Sequence, residues 1–373
     1  MSSGSVSACS YVIEPADLWS SCGVAGGPRR DESGESPCWV VGDYRCEIPA
    51  WQLLAVLGEG GPRGIEPVRF TDLPGAVFEP EGRLTAQDRG GVVAEVLYPT
   101  PRVWGAIGLV LDAETEIACA QVYNEWLAEF VRPAPDRLVG VGVIPAQGGV
   151  DAAVEQLRRV SELGLRGVHL RAFPSGPLLT QEADKFWLEL VRADLVVSFD
   201  ASFGPSIGRS SGRGIMTTGP EDAVAQFVYQ GVVERFPTMR YVISMPTAGW
   251  VPAWLERLDD GYLRFPAAQN TNLTRGLPSD YLRTRPFFTF SGQDLILDYP
   301  DDYIAFSHLM WSSQYPTFHA LEAAESFSQL SGLDPATHDA IRGGTCRGLY
   351  GLPDGAQIDF DPVVNPLPHA IPT

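Results

Sequence analysis

Apolar residues in this chain gather into short, nearly unbroken runs, and the stretches between them carry apolar positions at helical spacing. Eight runs read as β-strands: Ser10–Ile13, Val92–Tyr98, Leu138–Ile144, Gly167–Arg171, Leu195–Asp200, Tyr241–Met245, Pro286–Phe290 and Leu309–Ser313. Continuous rather than alternating hydrophobicity is what a parallel strand shows when both of its faces are covered. Between the runs, Val154, Leu157, Val160 and Leu163 line one helical face, and Gly164 supplies the stop. Ile117, Val122, Trp126 and Phe130 form a second stripe that ends before Pro133. Strand and helix alternating in this way up to eight strands predicts an α/β fold, a (β/α)8 TIM barrel. An open doubly wound sheet is the rival architecture, but no GxGxxG follows the first run to support it.

A barrel of this type takes about 250 residues. The chain has 373, so sizeable insertions are expected. The longest, 20–89, lies after the first strand, is rich in Gly and Pro, and carries Trp39, Tyr44 and Trp51. It would cap the end of the barrel at which the active sites of such folds lie. A Gly/Ser-rich loop, Gly204–Gly219, follows the fifth strand and reads equally as a mobile lid or a tolerated surface loop. Residues 1–350 are therefore expected to form one barrel domain. The Pro-rich segment 351–373 would be an extended tail on the barrel or on a partner subunit.

Charge narrows the range of partners. Forty-six acidic residues against 27 basic give a net charge of -19, a field that repels nucleic acid and anionic membranes and favours solubility. No apolar run is long enough to span a bilayer, and the first residues lack the features of a secretory signal. The six cysteines contain no CxxC pair and scatter widely, as free thiols of a reducing cytoplasm do. Cys22, Cys38 and Cys46 are close in sequence, but their spacing fits no zinc pattern.

Five short motifs occur in order. They are Tyr11-Val12-Ile13-Glu14-Pro15 with Leu18-Trp19, Leu97-Tyr98-Pro99-Thr100, Tyr123-Asn124-Glu125-Trp126-Leu127, the stretch from Gly164 to Arg171, and the stretch from Gly249 to Arg257. Together they resemble the amidohydrolase family that includes aminocarboxymuconate-semialdehyde decarboxylase and related aromatic-acid decarboxylases and hydrolases. The resemblance runs from about residue 7 to about residue 350. It implies one divalent metal at the C-terminal mouth of the barrel. The first strand would supply a pair of ligands at positions occupied here by Cys9 and Tyr11. Where the resemblance implies further ligands, at the ends of the fifth, sixth and eighth strands, this chain has Asp200, Met245 and Gln314. Of these five residues, only Cys9 and Asp200 are good donors for zinc or manganese, and Tyr11 is an occasional one. Four of the five histidines, His308, His319, His338 and His369, fall outside the ligand positions. The expectation is therefore a site without a metal or other cofactor. A rebuilt divalent site on Cys9, Asp200 and ligands from the insertion is the alternative.

Candidate chemistry remains at the strand ends. His169 and Arg171 are two apart on one strand and share a face. An inward Asp200 on the next strand would raise the basicity of His169 and make it a general base. Tyr11 and Tyr98 are candidate donors to an oxyanion, and Cys9 a candidate nucleophile should its pKa be depressed. Arg171, Tyr98, Glu14, Trp311 and Gln314 are candidate substrate contacts. Each has a plainer reading. His169 serves equally as a hydrogen-bonded barrel histidine, Arg171 as a structural partner of Asp200, Cys9 as a small buried hydrophobe, and Tyr11 as filler for a lost metal.

Two functions follow. One is an enzyme with hydrolase or lyase chemistry on a small organic acid or acyl thioester of specialised metabolism. The other is a non-catalytic homologue that binds a ligand or pairs with an active relative. The expected assembly is a homodimer, or a heterodimer with such a relative.

Overall fold

The computed structural model describes residues 4–33, 37–47, 69–145, 147–170, 181–200, 220–265, 273–283, 285–292, 294–299, 304–316 and 327–354. Eight parallel strands are hydrogen-bonded in chain order: β1 (Ser5–Tyr11), β5 (Val92–Tyr98), β6 (Leu138–Val143), β7 (Gly167–Leu170), β8 (Val196–Asp200), β9 (Tyr241–Ser244), β10 (Pro286–Phe290) and β11 (Leu309–Trp311). Past the end of β11 the ring closes on β1. Gln314 N donates to Cys9 O at 3.0 Å, and Tyr11 N donates to Tyr315 O at 2.7 Å. The (β/α)8 barrel is thus the fold, and an open sheet is ruled out.

β1 begins five residues before the expected Ser10, because its first half is small and polar rather than apolar. Those polar groups are used at the seam. Ser7, Ser10 and Ser313 hydroxyls bond one another at 2.9–3.0 Å, and Ser313 N donates to Ser7 Oγ at 2.9 Å. Burying hydroxyls is tolerable only when they are mutually satisfied, as here.

Alternation along the strands separates two apolar layers. Val6, Ala8, Val96, Val141, Val242, Phe287 and Met310 fill the barrel interior. Val12, Leu97, Val168, Ile243, Leu309 and Trp311 face the helices. The N-terminal end of the barrel is plugged by helix Thr345–Leu349, whose Cys346 and Leu349, with Tyr350, join the interior layer. Arginines lying just before two strands, Arg166 and Arg240, donate to Tyr350 O and Leu349 O and hold the plug in place.

Helix Ala113–Val131 starts at an Asp112 cap that accepts from Thr115 N at 2.9 Å. It docks closely on β6, since a side chain at Gly140 or Gly142 would meet Leu127, Leu165 or Val160 at 3.2 Å or less. There Asn124 grips the strand end by accepting from Val143 N at 2.8 Å and donating to Val143 O at 3.0 Å. Across the seam, Arg83 on helix Pro80–Gly90 is fully buried, forked onto Glu95, and donates to Tyr11 O at 3.0 Å. Its guanidinium lies 4.4 Å from the centre of the Tyr315 ring.

Part of the insertion forms an antiparallel sheet that the sequence pattern did not announce: β2 (Arg29–Asp31), β3 (Cys38–Val41) and β4 (Tyr44–Glu47). It leans on helix Pro101–Val110, and Trp39 meets Trp19 edge to face at 5.4 Å. Trp51, the Gly204–Gly219 loop and the tail beyond residue 354 lie outside the described residues.

Candidate active site

Inward residues at the C-terminal ends of the strands converge on a polar cluster. His169 on β7 and Asp200 on β8 are inward for the same reason: each is two residues beyond an inward neighbour, Gly167 and Ser198. His169 Nε2 and Asp200 Oδ1 are 2.7 Å apart, and both side chains are buried, at 2% and 0% exposure. A carboxylate can only accept at this distance, so the ring holds its proton on Nε2.

Tyr11 donates to Gln314 Oε1 at 3.2 Å, and Gln314 Nε2 donates to Ser312 Oγ at 3.0 Å. Gln314 has φ +55°, a left-handed conformation that costs a non-glycine residue about 1–3 kcal/mol and is retained only where the surroundings enforce it. Here the enforcement is visible, because its backbone N–H and both ends of its amide are engaged. Burial, reinforced by Cys9 and Asp200, holds the Tyr11 hydroxyl well above the ordinary tyrosine range. It therefore acts as a proton-bearing donor.

Burial also pushes the Cys9 thiol up to about 12, with Asp200 adding to the rise and Ser244, Tyr11 and Gln314 opposing it. Such a thiol stays protonated at neutral pH and is a poor nucleophile. The nucleophilic role considered for Cys9 is not what this environment favours; the side chain fills the floor of the mouth.

Other expected contacts are placed elsewhere. Trp311 faces outward, packing on Phe327 at 5.2 Å, because its odd position on β11 follows Leu309 rather than the inward Met310. Glu14 also turns to the helix side, where Oε1 accepts from Thr100 N at 3.1 Å. Tyr98 is inward but fully buried below the mouth, and donates to Ser198 Oγ at 2.9 Å. Its ring is 6.3 Å from both His169 and Tyr11, as support rather than as an oxyanion donor. Arg171 lies outside the described residues. On β9 the inward residue is Ser244, and Met245 faces the helices. Counting by twos from the inward Val242 would have found Ser244.

The Amidohydrolase family model matches residues 43–352. Among curated proteins, 2-amino-3-carboxymuconate-6-semialdehyde decarboxylase of Dictyostelium discoideum is 27% identical over 37% of this chain, a stretch covering only 34% of that protein. Gamma-resorcylate decarboxylase of Rhodococcus jostii is 28% identical over 61% of this chain and 74% of its own length. Solved structures share the fold, two of them as follows. An amidohydrolase of Mycobacterium avium subsp. paratuberculosis superposes with a TM-score of 0.75 at 18% identity, covering 94% of this chain and 100% of its own. 5-Carboxyvanillate decarboxylase of Novosphingobium aromaticivorans has a TM-score of 0.70 at 15% identity, covering 93% and 96%, and is complexed with manganese and 4-hydroxy-3-methoxy-5-nitrobenzoic acid.

These neighbours correct the expectation of a site without a metal cofactor: decarboxylases of the same fold carry a bound divalent ion. The donors described here do not by themselves make a site of that kind. Among the described residues no group of three His, Cys, Asp or Glu is gathered where an ion could sit. The ring nitrogen of His169 that faces the cluster is bonded to Asp200, and the Cys9 thiol is protonated. By the extent of the family match and the shared barrel, the chain belongs to the amidohydrolase family.

Proposed function

We propose that this protein is a decarboxylase-like enzyme acting on a small organic acid, with His169 and Asp200 as its acid–base pair. The observation that carries the reading is the buried 2.7 Å contact between His169 Nε2 and Asp200 Oδ1 at the mouth of the barrel. The decarboxylase names of the two curated relatives support the choice of reaction over hydrolysis.

Decarboxylation breaks a carbon–carboxylate bond and leaves its electron pair on carbon, which must then take up a proton. The group supplying that proton has to be positioned before the bond breaks. Asp200 fixes the orientation of the imidazole through the 2.7 Å contact, so the pair can hold a proton and release it to the carbon. Tyr11, kept protonated and steered by Gln314, can donate a hydrogen bond to substrate oxygen. Gamma-resorcylate, 5-carboxyvanillate and 2-amino-3-carboxymuconate-6-semialdehyde, the acids named in the relatives, are the first substrates to try with manganese supplied. Carbon dioxide released from one of them and lost in Asp200→Asn would support the reading. Release that survives the substitution would refute the assignment of the pair.

A further inference from the structure

Behind β1, on the side away from the cluster just described, three polar groups point into one buried spot. Glu14 comes from the turn after β1, Trp104 from helix Pro101–Val110 and Tyr123 from helix Ala113–Val131. Glu14 and Tyr123 are 0% exposed and Trp104 4%. Glu14 Oε1 is engaged by Thr100 N, but Glu14 Oε2, Trp104 Nε1 and Tyr123 OH have no hydrogen-bond partner among the described residues. The Trp104 and Tyr123 rings meet edge to face at 5.2 Å, and Glu14 interacts with the Trp104 indole and with the Tyr123 phenol.

Buried polar atoms left unsatisfied are costly and rare, and three in one place call for a common partner. Two of them, the indole N–H and the phenol O–H, are donors, and the third is a carboxyl oxygen. One water satisfies all three at once: it accepts from Trp104 and Tyr123 and donates to the Glu14 carboxylate, and when Glu14 is protonated it accepts from the carboxyl and Trp104 and donates to the Tyr123 oxygen. Three hydrogen bonds are typical of an internal water.

We propose that Glu14 Oε2, Trp104 Nε1 and Tyr123 OH enclose the binding site of a single internal water, and that at this site the turn after β1 takes up and releases a proton. Glu14 is suited to the second role. Burial pushes its carboxyl up to about 7, opposed by the Thr100 hydroxyl, by backbone N–H groups and by the Trp104 indole. The other titratable group described as acting at the spot is the Tyr123 phenol, which burial and Glu14 hold well above its ordinary range and which stays neutral. The strand end contributes Thr100, which carries no charge. Glu14 also ties the ends of β1 and β5 together, since Thr100 donates both to its carboxyl and, through Oγ1, to Val12 O at 3.1 Å. Its protonation state is thus read by the segment that carries Tyr11.

The test uses the full chain. A crystal structure at pH 6 and at pH 8 should show one water within hydrogen-bond distance of all three atoms. Infrared spectroscopy should show a protonated-carboxylic-acid carbonyl band that fades with a midpoint near pH 7 and is absent in Glu14→Gln. Should that variant fail to fold, Tyr123→Phe removes one donor to the water and should move the midpoint upward while the band persists. Three atoms in contact with no intervening density at both pH values would overturn the water site. A carboxyl band that ignores Glu14→Gln, or a midpoint unmoved by Tyr123→Phe, would overturn the proton role.

Discussion

At the residue scale, the proposed acid–base pair His169–Asp200 makes the first prediction: its substitution should be read in turnover rather than in folding. Asp200→Asn keeps the shape but removes the carboxylate that orients the imidazole. Activity should fall about 100- to 10,000-fold, the usual contribution of a positioned acid–base group, while circular dichroism remains unchanged. His169→Gln should behave alike, and the double variant should lose little more than either single one, since the two act as a unit. Cys9 should behave differently. A protonated, buried thiol predicts that Cys9→Ala retains most activity. Thiol titration of the native protein should find one fast-reacting cysteine, Cys22, which is exposed whereas the other five are buried. Glu14 makes a stability prediction of defined sign. Its folded value of about 7 lies above the ordinary glutamate value of 4.5, so the native state retains a proton that the unfolded chain has released. Its contribution is complete below about pH 4.5 and is lost as pH rises through 7. The whole effect is on the order of 3 kcal/mol. Glu14→Gln should flatten that part of the pH–stability curve measured by urea denaturation.

At the scale of elements, the seam between β1 and the end of β11 is where the ring is most exposed to failure, because its backbone pairing is sparse. Hydroxyls of Ser7, Ser10 and Ser313 supply part of the closure, and the Arg83–Glu95 pair clamps it from outside. Removing one member of a buried ion pair leaves the other uncompensated, at a cost of about 3–5 kcal/mol. Arg83→Leu should therefore lower the urea midpoint strongly, and Arg83→Leu with Glu95→Leu should recover most of the loss. The same elements show what can be read from sequence. Runs such as Val92–Tyr98 and Pro286–Phe290 were legible to the residue, because parallel strands buried on both faces are continuously apolar. β1 was only half legible, since its first residues are serines whose burial depends on partners 303 to 306 positions away. The small antiparallel sheet of the insertion was missed, its strands being only three or four residues long.

At the scale of the molecule, the barrel and the family were visible in the order of weak motifs, whereas the direction of Asp200 was left open by the sequence and is fixed by its register on β8 beside His169. Parity also separates what was misplaced: Trp311 and Met245 are one residue out of phase with the inward set, so they face helices. Glu14 lies beyond the strand, where alternation no longer applies. The cofactor expectation failed for a different reason. It was drawn from the identities of single residues, whereas manganese-bearing structures share the fold at only 15% identity. No described helix is long and apolar enough to cross a membrane.

The most direct measurement is carbon dioxide release from gamma-resorcylate, 5-carboxyvanillate and 2-amino-3-carboxymuconate-6-semialdehyde, with manganese present, by the native protein and by Asp200→Asn. The decarboxylase reading requires release from at least one acid by the native protein and its near-abolition in the folded variant. Failure to release carbon dioxide from any of the three, or equal release by both proteins, would contradict it, and the first of these results would favour a ligand-binding homologue.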